Sequence, residues 1–210
     1  TREIMDYLAG LSGGELDIRA EDIELLTKAA DLNDCMGVNY YRSQFVRAYD
    51  GENDIHSNST GDKGSSRYAL KGVGEYRMRE GLKTTDWDWI IYPEGLYDLL
   101  MHIKLAYPNY KKLYITENGM GYKDTFENGI IDDEPRIDYI RQHLDWTLRA
   151  VEGGVNVMGY FVWSLQDQFS WTNGYNKRYG LFYVDFETQE RYPKASAYWF
   201  EQLSRTGHLL

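Results

Sequence analysis

The chain has a single cysteine, Cys35, among its 210 residues. An internal disulfide is therefore impossible, and a fold that does without one fits a reducing compartment, so a cytoplasmic location is expected. Cationic excess is missing as well. Against 33 acidic residues stand 23 basic ones, for a net charge of −10. Such a surface has no broad cationic face to release counterions, which excludes general binding to nucleic acid or to an anionic membrane. Any anion it binds has to be caught by a local cluster. No apolar run approaches the roughly 18 residues of a spanning helix, and the first residues lack the basic-then-apolar pattern of a signal peptide. Repeats, low-complexity tracts and linkers are absent too. Aromatic residues, by contrast, are abundant: 15% of the chain, with 19 Tyr and 6 Trp. Many sit beside polar residues and Gly, away from helical stripes. Rings with hydrogen-bonding edges suit sugars, whose C–H faces stack while their hydroxyls need polar partners; the same rings also serve simply to fill a core.

Along the chain, helical and extended patterns alternate. Ile4 to Leu8 and Glu21 to Ala30 read as helices, the first stopping near Gly10 and the second acidic at its start. Cys35 to Tyr40 reads as a short buried strand. A polar stretch from Asp50 to Gly74 reads as a long excursion with hairpin character. Pro93 opens a helix with an apolar stripe of Leu96, Leu99, Leu100 and Ile103. Leu113 to Thr116 is the next strand. Asp133 and Pro135 open a helix that carries Ile137, Ile140, Leu144 and Leu148 on one face and ends at Gly153-Gly154. Val155 to Trp163 is a third strand, Leu181 to Phe186 a short extended piece, and Pro193 opens a final helix to about Leu203. This alternation predicts an α/β fold with parallel strands and right-handed crossovers. Three parallel strands do not close a barrel, and a (β/α)8 barrel takes about 250 residues. The chain also begins inside a helical pattern with no capping residue before it. The expectation is that residues 1–210 are the C-terminal portion of a single (β/α)8 TIM barrel domain, supplying about its last three strand–helix units; a small self-contained α/β domain is the alternative.

Two segments carry candidate chemistry. The apolar run Leu113-Tyr114-Ile115 ends abruptly in Thr116-Glu117-Asn118-Gly119. A buried strand does not easily hold an unpaired charge in its middle, but it can present one where it emerges into a pocket, with Asn-Gly turning the chain away. Glu117 is thus a candidate catalytic group at the C-terminal mouth of a parallel strand; a structural ion-pair role is the competing reading. The second segment is Ser170-Trp171-Thr172-Asn173-Gly174 followed by Tyr175-Asn176-Lys177-Arg178-Tyr179-Gly180. In an extended segment Lys177 and Tyr179 point the same way, and a Gly-containing turn can fold Ser170 toward them. An ammonium, a phenol and a hydroxyl suit a phosphoryl group, which carries about −1.5 to −2 charge near neutral pH. A merely solvated Lys-Arg pair is the plainer alternative.

Taken together, these motifs resemble glycoside hydrolase family 1, the β-glucosidase-like (β/α)8 enzymes. Lys112-Leu113-Tyr114-Ile115-Thr116-Glu117-Asn118-Gly119 is similar to the family's nucleophile motif, and Gly37-Val38-Asn39-Tyr40-Tyr41 to its sixth-strand motif. Asp86-Trp87-Asp88-Trp89 with Tyr92-Pro93-Glu94-Gly95-Leu96 resembles the segment before the seventh strand. Gly159 to Leu165, and on to Val184-Asp185-Phe186, resembles the eighth strand and its loop. The motifs come in family order and cover nearly the whole chain. Ordinary β-glucosidases of the family carry a Glu where this chain has Ser170; together with Lys177 and Tyr179, the Ser resembles the 6-phospho-glycosidase branch, since a carboxylate there would repel a 6-phosphate. Trp171 resembles the galactoside-cleaving sub-branch.

What the resemblance implies is a retaining hydrolase of 6-phospho-β-D-galactosides such as lactose 6-phosphate. Its small-molecule partner is a phosphorylated disaccharide, and no cofactor or metal is implied. Glu117 would be the nucleophile, supported by Tyr41. Asn39 would contact the sugar or the catalytic carboxylates, Trp163 would stack on the ring, Trp171 would shape the pocket at the galactose C3–C4 edge, and Trp89 would border the leaving group. Ser170, Lys177 and Tyr179 would hold the phosphate. The family's acid/base is the Glu of a Thr-(Phe/Leu)-Asn-Glu motif, and no Asn-Glu pair occurs in the sequence, so this chain on its own is expected to be inactive. A 6-phospho-β-glucosidase and a non-catalytic phospho-sugar-binding module are the alternatives.

Overall fold

The computed structural model describes residues 2–14, 19–56, 67–86, 89–171 and 174–209. In chain order the elements are α1 (Arg2–Leu11), α2 (Ala20–Leu32), β1 (Met36–Asn39), β2 (Phe45–Arg47), β3 (Asp54–His56), β4 (Arg67–Leu70), β5 (Gly74–Arg77), α3 (Glu94–Ala106), β6 (Leu113–Asn118), β7 (Phe126–Glu127), β8 (Ile130–Ile131), α4 (Glu134–Glu152), β9 (Val157–Val162), β10 (Phe182–Val184), β11 (Arg191–Pro193) and α5 (Ala195–Thr206). β1, β6 and β9 form a parallel sheet in that order. The polar excursion is a four-stranded antiparallel sheet, β2-β5-β4-β3, wider than the Asp50–Gly74 expectation because Phe45–Arg47 closes it. Part of that excursion, residues 57–66, lies outside the described residues.

The core sits where the parallel sheet meets α3 and α4. Val38, Leu113 and Ile115 pack against Leu96, Leu100 and Ile103, with Ala150 and Val155 closing the layer. Each such side chain, once buried, contributes about 1.5–3 kcal/mol. A second cluster, of Met120, Tyr139, Ile140 and Leu181, receives Trp199 and Phe200 from α5. In β6, Leu113 and Ile115 alternate inward as a half-buried strand should. The ladder with β1 then slips: Val38 pairs with Ile115, but Asn39 pairs with Glu117, so Thr116 is a bulge residue. The slip changes the side-chain parity, and Asn118 takes the buried position facing α4.

Two sequence expectations need correcting. Leu148 is exposed at 50%, and the buried face of α4 runs instead through Arg136, Ile137, Tyr139, Ile140, His143, Thr147 and Ala150. Polar residues can take that face because they are bonded locally: His143 Nδ1 lies 2.7 Å from the Tyr139 carbonyl, and Thr147 Oγ1 donates to the His143 carbonyl at 2.7 Å. Pro193 does not open the last helix. It ends β11 opposite Phe182, where the ladder needs no donor from it, and α5 starts at Ala195 after an extended Lys194.

Candidate active site

The end of β6 is fixed by a mesh of tyrosines. The Tyr40 amide donates to the Glu117 carbonyl at 2.9 Å, and Asn118 Nδ2 donates to the Tyr40 carbonyl at 2.7 Å. Tyr160 donates to Asn118 Oδ1, and Tyr139 donates to the Tyr41 carbonyl at 2.9 Å. Burial pushes the Tyr40 phenol up to about 12 and those of Tyr139 and Tyr160 well above their ordinary value. All three therefore stay protonated donors near neutral pH. Tyr41 and Glu117 are held where this mesh ends.

There the Tyr41 hydroxyl donates to Glu117 Oε2 at 2.6 Å. Burial first, and then this bond to a carboxylate, raise the Tyr41 phenol far above its ordinary value, which makes it a permanent donor. Asn39, register partner of Glu117, accepts from Thr116 Oγ1 at 2.6 Å. The bulge thus presents Thr116 to Asn39 and Glu117 to Tyr41 side by side.

Trp89 joins this group to a cationic one. Its ring centre lies 5.8 Å from that of Tyr41, edge-on, 4.9 Å from the Arg42 guanidinium carbon and 5.5 Å from Lys177 Nζ. Lys177 is buried, and Tyr179 is partly buried. Burial raises the Tyr179 phenol to about 12, with Arg42 pulling the other way. Glu117, Tyr41, Trp89, Lys177 and Tyr179 thereby form one neighbourhood. Trp87 and Asp88 lie outside the described residues.

Trp163 follows β9, 37% exposed, and its amide donates to the Asn118 carbonyl at 2.9 Å. The Trp163–Ser164 peptide is cis. A Cβ at Gly119 would come within 1.9 Å of the Trp163 carbonyl oxygen, so only glycine permits this approach of β6 to β9. Ser170 pairs with Gly174 through both backbone amides at 2.8 Å. This hairpin leaves Trp171 at 97% exposure, and Thr172 and Asn173 lie outside the described residues.

The segment bearing Lys177 and Tyr179 is anchored from behind by buried charges that the sequence reading missed. Asp167 accepts from the Gly180 amide at 2.9 Å, from Arg178 at 2.7 Å and from Lys194 at 2.8 Å. Asp124 accepts from Arg136 at 3.0 Å and from Lys194, Asp133 accepts from Arg136 and from Ser196, and Arg136 also donates to the Arg178 carbonyl at 2.9 Å. Three acids meet three bases, so the net charge is zero. Burial pushes the Asp124 carboxyl up and the Lys194 ammonium down from their ordinary values. An open groove of 1110 Å³ between α2 and residues 106–111 contains none of the candidate side chains.

A carboxylate at an open sheet end, steadied by a phenol, is suited to nucleophilic attack, and the neighbouring cations and indole suit an anionic sugar. The Glycosyl hydrolase family 1 pattern matches residues 2–208, and the chain belongs to that family. It is 59% identical over 206 residues to a 6-phospho-beta-galactosidase of Leptotrichia buccalis, covering 98% of this chain and 44% of that protein. A 6-phospho-beta-galactosidase of Staphylococcus haemolyticus is 56% identical over 211 residues, covering 100% and 45%. The chain thus spans less than half the length of these relatives. Among solved structures, a Thermotoga maritima family 1 glycoside hydrolase complexed with a cyclophellitol analogue superposes with a TM-score of 0.74 at 33% identity, over 90% of this chain and 38% of that one. A beta-glucosidase from the same organism, complexed with noeuromycin, gives 0.70 at 31%. The parallel sheet and its helices are part of a (β/α)8 barrel.

Proposed function

We propose that this chain carries the nucleophile half of a retaining glycosidase acting on 6-phospho-β-D-galactosides. The observation that supports it most is the 2.6 Å bond from Tyr41 to Glu117 at the end of β6, in a chain whose relatives are named 6-phospho-beta-galactosidases. In a retaining mechanism the carboxylate oxygen of Glu117 attacks the anomeric carbon, the glycosidic C–O bond breaks, and a general acid protonates the leaving oxygen. Water then attacks the same carbon, its proton goes to the acid/base, and Glu117 is released. Tyr41 orients Glu117 through its bond to Oε2. Asn39 contacts sugar hydroxyls, Trp163 stacks on the ring, and Trp89 borders the leaving group. Lys177, Tyr179 and Ser170 bind the 6-phosphate, and Trp171 shapes the pocket around the galactose C3–C4 edge. No Asn-Glu pair occurs in the sequence, so the acid/base implied by the family resemblance has no counterpart among these residues. The reading includes a cytoplasmic location, a phosphorylated disaccharide as substrate, and residues 1–210 as one portion of a single barrel domain.

The test uses the protein from the complete gene. With nitrophenyl 6-phospho-β-galactoside, proton NMR should show the β-anomer of galactose 6-phosphate first, and turnover should exceed that of the gluco epimer and of the unphosphorylated galactoside. An initial α-anomer overturns retention; faster gluco turnover overturns the galactoside assignment.

A further inference from the structure

Lys177 is not the only cation at Trp89. Arg42 faces the same indole at 4.9 Å, against 5.5 Å for Lys177, and it directly follows Tyr41, the donor to Glu117. It also favours the ionised form of Tyr179, which puts its charge within electrostatic reach of that ring. Among the described residues no carboxylate pairs with Arg42, although the chain carries a net charge of −10. In such an acidic protein, a guanidinium that no acid neutralises, next to a candidate nucleophile, is an unspent positive charge.

Resting on the reading given under Proposed function, we propose that Arg42 is a specificity-determining residue which, with Lys177, forms a two-cation seat for the sugar phosphate around Trp89. A phosphomonoester carries about −1.5 to −2 charge near neutral pH, so one ammonium leaves about half of it uncompensated. The second cation supplies the remainder. Arginine is suited to the position because its planar fork binds phosphate oxygens in pairs, and stacking on Trp89 holds the plane while leaving its N–H edge available. Tyr179 contributes a neutral donor beside the two charges.

Arg42→Gln and Arg42→Lys in the complete protein test this. Arg42→Gln should lower kcat/KM for nitrophenyl 6-phospho-β-galactoside by about 10-fold, the scale of one charge-assisted hydrogen bond. The change should lie mainly in KM. The unphosphorylated galactoside should be unaffected, and Arg42→Lys should recover part of the loss. Inhibition by galactose 6-phosphate should weaken in parallel, and the dependence of its binding on ionic strength should flatten. Equal losses on both substrates would assign Arg42 to the fold or to the aglycone and overturn the proposal. So would an unchanged KM in a wild type that prefers the phosphorylated substrate, an outcome that leaves the proposed function standing. A wild type with no such preference overturns both.

Discussion

Two groups of charged side chains meet the segment around Lys177 and Tyr179 and differ in what their charges contact. In one group, the matched one, Asp124, Asp133 and Asp167 meet Arg136, Arg178 and Lys194, and every one of these contacts joins opposite charges. In the other group, Lys177 and Arg42 face the Trp89 indole, and no acid of the described residues pairs with Arg42. The matched group ties the N-terminal ends of α4 and α5 to the chain beyond β6 and β9. Its charges are consumed by one another, which makes it a scaffold. In the second group the Arg42 guanidinium, with no acid of the described residues beside it, retains attraction for an anion. On the proposed function, the first group holds the loop, and Arg42 and Lys177 are the residues that would read the ligand.

Breaking the matched group should have the largest effect. Lys194→Met strands Asp124 and Asp167 without their shared ammonium, and removing one partner of a buried pair costs about 3–5 kcal/mol. Urea unfolding should show that loss, while the preference for phosphorylated over unphosphorylated substrate stays near wild type. A stable Lys194→Met variant with a collapsed preference would reverse the assignment of the two groups.

His143 gives a somewhat smaller effect of a different origin. It is fully buried against Tyr139, with no partner for Nε2 among the described residues, and burial pushes its pKa down to about 4. Between that value and the ordinary one near 6.5, the unfolded chain binds the proton and the folded chain does not. Stability should therefore rise with pH through this window, by up to roughly 3 kcal/mol, and be fully present above it. Denaturation midpoints of wild type and His143→Phe between pH 4 and 7 check this; identical slopes would show that His143 does not titrate on unfolding.

Least costly to the fold should be a change in the group proposed to read the phosphate. Lys177→Ala should lower efficiency on the phosphorylated substrate by about 10- to 150-fold, the worth of one charge-assisted contact at about 1.5–3 kcal/mol. Steady-state kinetics on the unphosphorylated substrate should show little change. Equal losses on both would move Lys177 into the scaffold.

What was legible in the sequence follows from the range of the interactions. Glu117 could be found because an apolar run ending in Glu-Asn-Gly is a local pattern, and the stripe of Leu96, Leu100 and Ile103 is set by helical spacing. The bulge at Thr116 was not legible, because it exists only in the pairing with β1. Leu148 was misplaced because apolar character was taken to mark the buried face, whereas His143 and Thr147 occupy it with local bonds. Asp167 binds Lys194 across 27 positions, and Arg42 meets Trp89 only through the fold. The one available signal for Arg42 was its place directly after Tyr41.

Glu117 is proposed as the nucleophile of a phosphate-reading glycosidase. Its most direct test is to treat the complete protein with an activated 2-deoxy-2-fluoro-6-phospho-β-galactoside, which slows release of the covalent intermediate, and to map the adduct by peptide mass spectrometry. One sugar phosphate is expected on the peptide containing Glu117, none in Glu117→Gln, and much slower labelling by the unphosphorylated analogue. An adduct on another carboxylate, or equally fast labelling without the phosphate, would contradict it.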